Sequence, residues 1–412
     1  MMEESTLLRR GDADALAQGL ADARGRLSRL LDAYERTLPR GLEVPYAAEL
    51  NPPRWEFGHV AWFEEFWIGR HPGRLSGLAA TADSPRAASW WPAADALYDS
   101  SKVSHTSRWH LDLPSAATTR RYAAAVRERT LALLSDTPDD DALLYPYRLA
   151  LAHVDMHGEA WSYMAQHLAL DVADALEATG PAAVAPEADG EATLPAAKHR
   201  LGHDGPGFAF DNELGAHEVE LAAYTIDRAP VTWARVLPFV EDGGYRESRW
   251  WSAEGWAWRQ RANLAAPRYL RRDDEAAGTW QRATFGRWMP LDPAQPAVNL
   301  SRHEAEAWCR WAGRRRPTEA EWDHAALALG DACTWGQVWE WTASPFAPYP
   351  GFVPHPYADY SQPWFDGRPV LRGASFATAP RMTSRAYRNY FPAGRNDIWA
   401  GFRTCATDAD AG

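Results

Sequence analysis

The chain has 412 residues, 46% hydrophobic and 24% charged, which suits a globular protein of two or three domains. Its 43 Lys and Arg stand against 55 Asp and Glu, a net charge of −12, which argues against nucleic acid or an anionic membrane as the partner because both need a basic face. Cys309, Cys333 and Cys405 form no CxxC pair and cannot all pair with one another, which disfavours a disulfide scaffold or zinc ribbon and fits a reducing, cytoplasmic setting. The opening MMEESTLLRR has no apolar core of a secretory signal, and no run of about 20 apolar residues offers a membrane span. Tryptophan is abundant, at 22 residues, and indole is the best face for a cationic ligand.

Residues 13–37 read as an amphipathic helix, with Leu16, Leu20, Leu27, Leu30 and Leu31 on one stripe. Residues 54–70 form a second, aromatic-rich helix, with Asn51 as a candidate cap and a proline in the first turn. Residues 117–136 and 142–175 supply two more. Four helices with one long connection (71–116) predict a four-helix bundle over 1–175. Residues 176–197, rich in Ala, Pro, Glu and Gly without periodicity, read as a linker. Beyond it, a strand at Glu218–Ile226 and helices at Thr232–Glu241 and Arg302–Ala312 sit among Gly, Pro and Trp. Residues 198–412 are therefore expected to be an α+β domain of sparse regular structure. No internal repeat is present.

His153 and His157 lie four apart on the fourth helix, so both imidazoles share one face and can share one metal. His59 sits at the middle of the second helix, and bundle helices converge their ligands on the interior. Three imidazoles suit iron, zinc or copper and leave positions open. The flanking Trp55, Trp62, Phe63 and Phe66 read as bundle core. Val154 follows His153, so this is not the HExxH of a zinc protease, which would need a Glu there. Asp155 and Glu159 flank the pair as candidates either to orient the ligands or to face solvent.

The segments NPPRWEFGHVAWFEEFW (51–67) and AHVDMHGEA (152–160) resemble the two metal-binding helices of the DinB-like domain in ergothioneine-biosynthesis sulfoxide synthases. The second half resembles the formylglycine-generating-enzyme-like (C-type-lectin-like) domain of the same proteins. The matching stretches are 224–245, 300–322, QVWEWTASPFAPYPGF (337–352), VLRGASF (370–376) and AYRNYFPAGRNDIWAGFR (386–403). The resemblance implies non-haem iron(II) on His59, His153 and His157, and an O2-dependent reaction joining hercynine, the trimethylbetaine of histidine, to a thiol donor. It also implies a catalytic tyrosine, matched best by Tyr349, whose phenol would supply a proton or hydrogen atom. Asn389 matches a residue near the substrate carboxylate. Tyr390 and Phe391 are expected to face the trimethylammonium, which has no N–H donor and is best held by ring faces. Met156 stands where the family often has Gln.

Members that use γ-glutamylcysteine hold its carboxylates with arginines. Here Arg395 matches one arginine, but the arginine-rich stretch of the long connection is replaced by ALYDSSKVSHTSRWHLDLP (96–114). Asp99, Ser100, Ser101, Lys102, His105 and Arg108 make a hydroxyl-friendly set. That pattern resembles the branch known as selenoneine synthases, whose donor is a selenosugar, and the favoured expectation is C–Se bond formation on hercynine. The alternatives are a sulfoxide synthase using cysteine or γ-glutamylcysteine, and a non-catalytic ligand-binding module. Formylglycine generation is disfavoured because the chain shows no reactive cysteine pair.

Overall fold

The structure, a computed structural model, describes residues 2–38, 41–81, 83–273 and 278–407. Its first half is helical: α1 (Met2–Arg10), α2 (Ala13–Thr37), α3 (Pro53–Glu64), α4 (Ala94–Tyr98), α5 (Ala116–Ser135) and α6 (Asp141–His167). Helices α2, α3, α5 and α6 form the bundle, α2 running along α6 and α3 packing on α5 and α6. The Asp12 carboxylate starts α2 by accepting from the Ala15 N–H at 2.8 Å. All five leucines of its stripe are buried. Helix α3 starts instead with prolines at Pro52 and Pro53, and Asn51 caps nothing: its side-chain oxygen accepts from Arg108 at 2.8 Å. The turn after α3, Glu65–Gly69, is a π-helix. Helix α6 stops at His167, short of residue 175, because Ala169 takes a left-handed φ of 54°.

Among its described residues the second half carries four α-helices, α7 (Trp233–Glu241), α8 (Ala253–Arg261), α9 (Arg302–Trp311) and α10 (Glu319–Leu329), among short strands. In chain order these are β1 (Glu191–Leu194), β2 (Ala197–Leu201), β3 (His217–Leu221), β4 (Tyr224–Asp227), β5 (Leu270–Arg272), β6 (Trp280–Thr284), β7 (Arg287–Pro290), β8 (Arg314–Arg315), β9 (Trp339–Pro345), β10 (Pro369–Arg372), β11 (Asn389–Tyr390), β12 (Ala400–Gly401) and β13 (Cys405–Ala406). They form sheets in the orders β1-β4-β13-β8, β11-β10-β9-β12, β2-β3 and β5-β6-β7. The architecture is thus a helical bundle followed by an α+β domain of sparse strands.

Two further local readings change. The segment 176–197 ends in strand, since β1 pairs antiparallel with β4, Glu191 opposite Asp227. Non-local pairing with a strand over 30 residues on is invisible to composition. The strand read at Glu218–Ile226 is two strands, β3 and β4, which leave Ala222 and Ala223 between them to join different sheets.

The two halves share one core. A single cluster of buried apolar residues continues from Leu8 and Leu16 through the bundle to Trp339, Trp399 and Phe402. Polar ties cross the same seam. Arg9 forks onto Glu213 at 2.8 and 2.9 Å, and Arg381 forks onto both oxygens of Asp155 at 2.7 and 2.8 Å. The Gln166 amide bridges the Ala283 carbonyl and the Phe285 N–H, and the Trp399 indole donates to Ser162 at 2.7 Å.

Candidate active site

Three histidines meet inside the bundle: His59 from α3, His153 and His157 from α6. Their ligand atoms lie within 4.8 Å of one another. Ring centroids are 5.1 Å (His59–His153), 5.2 Å (His59–His157) and 4.5 Å (His153–His157) apart. The one-turn spacing on α6 aligns two of them, and the packing of α3 on α6 brings the third.

Two of the rings are fixed from behind. The His59 Nδ1 lies 2.9 Å from the Tyr98 carbonyl, so it carries the proton and donates it. Tyr98 reaches this place because its ring lies against Gly58; a Cβ there would stand 2.2 Å from that ring. The His157 Nδ1 lies 2.7 Å from Oε1 of Glu56, a carboxylate with no exposed surface. Both bonds leave the Nε2 lone pair free for a metal. The His153 ring lies flat on Phe63 at 3.7 Å, and its Nδ1 is buried with no hydrogen-bond partner. Burial, reinforced by the neighbouring His157, pushes the His59 imidazole down to about 3 and His153 well below its ordinary value. Neutral imidazoles are what a metal ion requires. Three converging nitrogens, two with their tautomers fixed and one with an orphaned buried nitrogen, fit iron(II) or zinc. Trp55 stacks on the far side of His59 at 4.8 Å, and the Arg108 guanidinium covers Trp55 at 3.9 Å.

Two recesses share walls with neighbours of this cluster, Met156 beside His157 in one and Phe63 against His153 in the other. One is a cavity of about 190 Å³ at the seam between the domains. Met156, Glu159 and Tyr163 of α6 line it from one side; Trp339, Tyr360, Tyr387, Asn389, Tyr390, Phe391 and Trp399 line it from the other. Its walls are mostly ring faces, with one carboxylate. The other is a pocket of about 480 Å³ behind Phe63, lined by Trp62, Phe66, Trp67 and Tyr357 and by the polar groups of Asp83, Asp99, Ser100, Ser101, Lys102 and Asp359. Within it Lys102 pairs with Asp99 at 2.8 Å, and Asp99 also accepts from the Ser101 hydroxyl at 2.6 Å.

The residues singled out from the sequence fall into three groups. Met156, Asn389, Tyr390 and Phe391 share the aromatic cavity. Asp99, Ser100 and Lys102 share the polar pocket. The rest lie elsewhere. Tyr349 packs with Leu201 and Ala320 beneath the Arg388 guanidinium, 4.0 Å away, with its hydroxyl buried and unpartnered; its one described histidine contact is with His217, edge-on at 5.1 Å, and none joins it to His59, His153 or His157. Its loop is drawn there because Pro350 closes on Gly215, where a Cβ would meet the Pro350 carbonyl at 2.5 Å. The tyrosine beside the histidines is Tyr357, edge-on to Phe63 at 4.9 Å and 6.4 Å from His153. Arg395 spends its fork on Asp397, at 2.6 and 2.8 Å, and lies over Tyr163 and Phe391. Arg108 holds Asn51 and Trp55.

Asp155 and Glu159 do not orient the histidines. Each lies two residues from a ligand, roughly 200° round the helix, and so faces the second domain. Asp155 pairs with Arg381, and Glu159 accepts from Trp339, Ser375 and Thr378. The orienting carboxylate is Glu56, which sequence reading missed. Its signal was there: it precedes His59 by three, on the same helical face.

Comparison with known proteins fits this geometry. Residues 20–170 match the DinB superfamily, and residues 177–334 and 327–408 match the sulfatase-modifying factor enzyme 1-like domain. The chain is 34% identical to the hercynine oxygenase of Mycolicibacterium thermoresistibile, over 96% of this chain and 95% of that one. It is 34% identical to the hercynine oxygenase of Mycobacterium tuberculosis, over 95% and 98%. It is 41% identical to ergothioneine biosynthesis protein 1 of Schizosaccharomyces pombe, over 48% of this chain and 27% of that one.

Proposed function

The chain belongs to the hercynine oxygenase family, and from that premise we propose that it is an O2-dependent oxidoreductase that acts on hercynine with iron(II) held by His59, His153 and His157. The observation that carries the reading is the convergence of three imidazoles, those of His59 and His153 buried and kept neutral, near a small cavity walled by aromatic rings. When bound, iron(II) supplies one-electron redox chemistry for O2 and a coordination position that suits a soft sulfur or selenium. The protein's own groups do the rest. Glu56 and the Tyr98 carbonyl hold the Nδ1 protons of His157 and His59 and so aim Nε2 inward. The rings of the seam cavity receive the trimethylammonium, and Asn389 on its wall is placed to meet the carboxylate. Phe63 and Tyr357 keep bulk water from His153, and the Tyr357 phenol, rather than that of Tyr349, is positioned to give or take a proton near the metal.

The relatives support a thiol donor, cysteine or γ-glutamylcysteine, and hence an ergothioneine-type sulfoxide synthase. A selenosugar donor is the second reading, and the polar pocket favours it. Among the described residues lining that pocket none is an arginine, and the one cation, Lys102, is engaged by Asp99. A neutral polyol suits such walls better than a donor bearing two carboxylates.

Both readings are tested by loading the full chain with iron(II) under nitrogen, then admitting air with hercynine and each donor in parallel, with products read by mass spectrometry. A sulfur-containing product from the thiols alone establishes the first reading. A selenium-containing product formed in preference establishes the second. Hercynine left intact with every donor, and unbound in equilibrium dialysis, would remove the family function from this chain.

A further inference from the structure

A buried guanidinium without a countercharge is costly, and this protein pairs most of its buried arginines: Arg148 with Asp141, Arg372 with Asp323, Arg388 with Glu319 and Arg403 with Glu340. Arg282 of β6 departs from that pattern. It is 7% exposed and, among the described residues, makes no ion pair. Its Nη2 donates to the Thr284 hydroxyl at 3.1 Å, and its Nη1 is buried with no hydrogen-bond partner. Arg316 also lacks an ion pair, but its Nη1 donates to the Thr342 carbonyl at 2.8 Å. Burial pushes the pKa of the Arg282 guanidinium down to about 10, with no described carboxylate to offset it.

The side chain is held beside a recess of about 210 Å³. Strands β6 and β7 form a hairpin in which Arg282 stands opposite Met289 and Thr284 opposite Arg287, and strand alternation puts Arg282 and Thr284 on one face. The chain before β1 passes over that face: a Cβ on Gly180 would stand 2.9 Å from Nη2 of Arg282. Thr179 and Gln295 add a hydroxyl and an amide to the wall, and Leu291 adds an apolar surface. Thr284 Oγ1 already accepts from Arg282, so its own proton is left to point into the recess. The one carboxylate of the wall, Asp292, is exposed, accepts from the Ala294 N–H at 3.0 Å and makes no ion pair with Arg282. This recess shares no lining residue with the aromatic cavity or the polar pocket.

We infer that the recess is a binding site for a compact oxyanion, a carboxylate or a phosphate, which supplies the countercharge that the fold withholds from Arg282. A guanidinium gives such an oxygen a charge-assisted hydrogen bond from Nη1, and the Thr179 and Thr284 hydroxyls and the Gln295 amide stand by as neutral donors. The inference is independent of the hercynine reading. Its consequence reaches the seam, because the next residue of β6, Ala283, is the one whose carbonyl accepts from Gln166 of α6 at 2.9 Å. A ligand that binds only the folded form therefore stabilises the strand on which the bundle docks.

The test is calorimetric titration of the full chain in Tris-chloride with sodium propionate and, in parallel, with inorganic phosphate, sodium chloride being the control at equal ionic strength. At least one of the two oxyanions should give a saturable heat with a Kd on the order of 1 mM, and should raise the melting temperature by roughly 2 °C at ten times that concentration. The tighter of the two arms identifies the oxyanion as carboxylate or phosphate. Arg282→Met removes the cation and keeps its bulk, and should weaken that binding at least about tenfold. Arg282→Gln, neutral but able to hydrogen-bond, should show the same loss and carries the test if the Met variant does not fold. No saturable heat from either oxyanion, or a heat undiminished in the neutral variants, would overturn the inference.

Discussion

The two halves of the molecule present functional groups in opposite ways. The bundle delivers its histidines from the middles of regular helices, where position follows from a 3.6-residue period and each ring has few orientations. The second domain delivers cavity walls from chain ends and loops: Trp339 at the start of β9, Asn389 and Tyr390 in the two-residue β11, and Phe391, Ile398 and Trp399 around it. Their positions are held instead by buried ion pairs such as Arg388 with Glu319 and Arg372 with Asp323. The comparison teaches that a metal needs a few rigid, convergent ligands, whereas a shaped organic substrate needs many surfaces, which irregular chain can supply once a charged framework fixes it.

The sharpest way to break the comparison is at the helical ligands. His153→Ala should abolish iron retention after desalting and reduce turnover at least about 1,000-fold, because a two-histidine remnant loses both affinity and geometry. Retention of iron near one equivalent, measured by atomic emission, would move the metal elsewhere. Next in size is the seam. Arg381→Ala leaves Asp155 buried without its counterion and should cost about 3–5 kcal/mol of stability, read as a lowered denaturant midpoint. A loss under 1 kcal/mol would mean that the domains dock through the apolar core alone. Glu56→Gln keeps the fold but weakens the grip on His157, so iron affinity should fall roughly 10- to 100-fold with the melting temperature little changed.

Acid should separate the halves. In the metal-free chain the folded pKa of His59, about 3, lies below its ordinary 6.5, so the neutral ring contributes stability that is complete above pH 6.5 and is lost as pH falls from there. In the second domain burial alone pushes Glu319, Asp323 and Asp397 up, but Arg388, Arg372 and Arg395 override it and hold all three below the ordinary carboxylate range. Their stabilisation is complete above that range and is lost below about pH 4. Thermal melts at stepped pH should show the metal-free bundle softening first; simultaneous loss of both halves near pH 4 would discard the histidine contribution. The smallest effect belongs to Tyr349→Phe. Its hydroxyl has no partner, so turnover should stay within about twofold, whereas Tyr357→Phe should lower it at least about tenfold. The reverse order would restore Tyr349 to the chemistry.

Much of the bundle was legible because local periodicity and burial coincide there. The stripe from Leu16 to Leu31 is the buried face of α2, and the HxxxH spacing puts two rings together by helical geometry alone. The rest required knowing what lies opposite. Glu56 has the right spacing from His59, but its task is set by where α6 passes. Asp155 and Glu159 stand beside the histidines in sequence and face away from them in space. Tyr349 and Tyr357 sit on one loop, and nothing local says which of them the fold turns toward the three histidines. Nor could composition show that 191–194 pairs with 224–227.

The sequence by itself determined the class of architecture, the helical phase of the three histidines and the aromatic and polar identities of residues that line the two cavities, since these depend on residue type and short-range spacing. Tertiary structure alone decided the tautomer of His59, the partner of His157, the closing of an aromatic cavity around a carboxylate, and which tyrosine stands by the three histidines. Those are contacts between residues tens to hundreds of positions apart, and they exist only because burying one shared core presses α6 against the second domain.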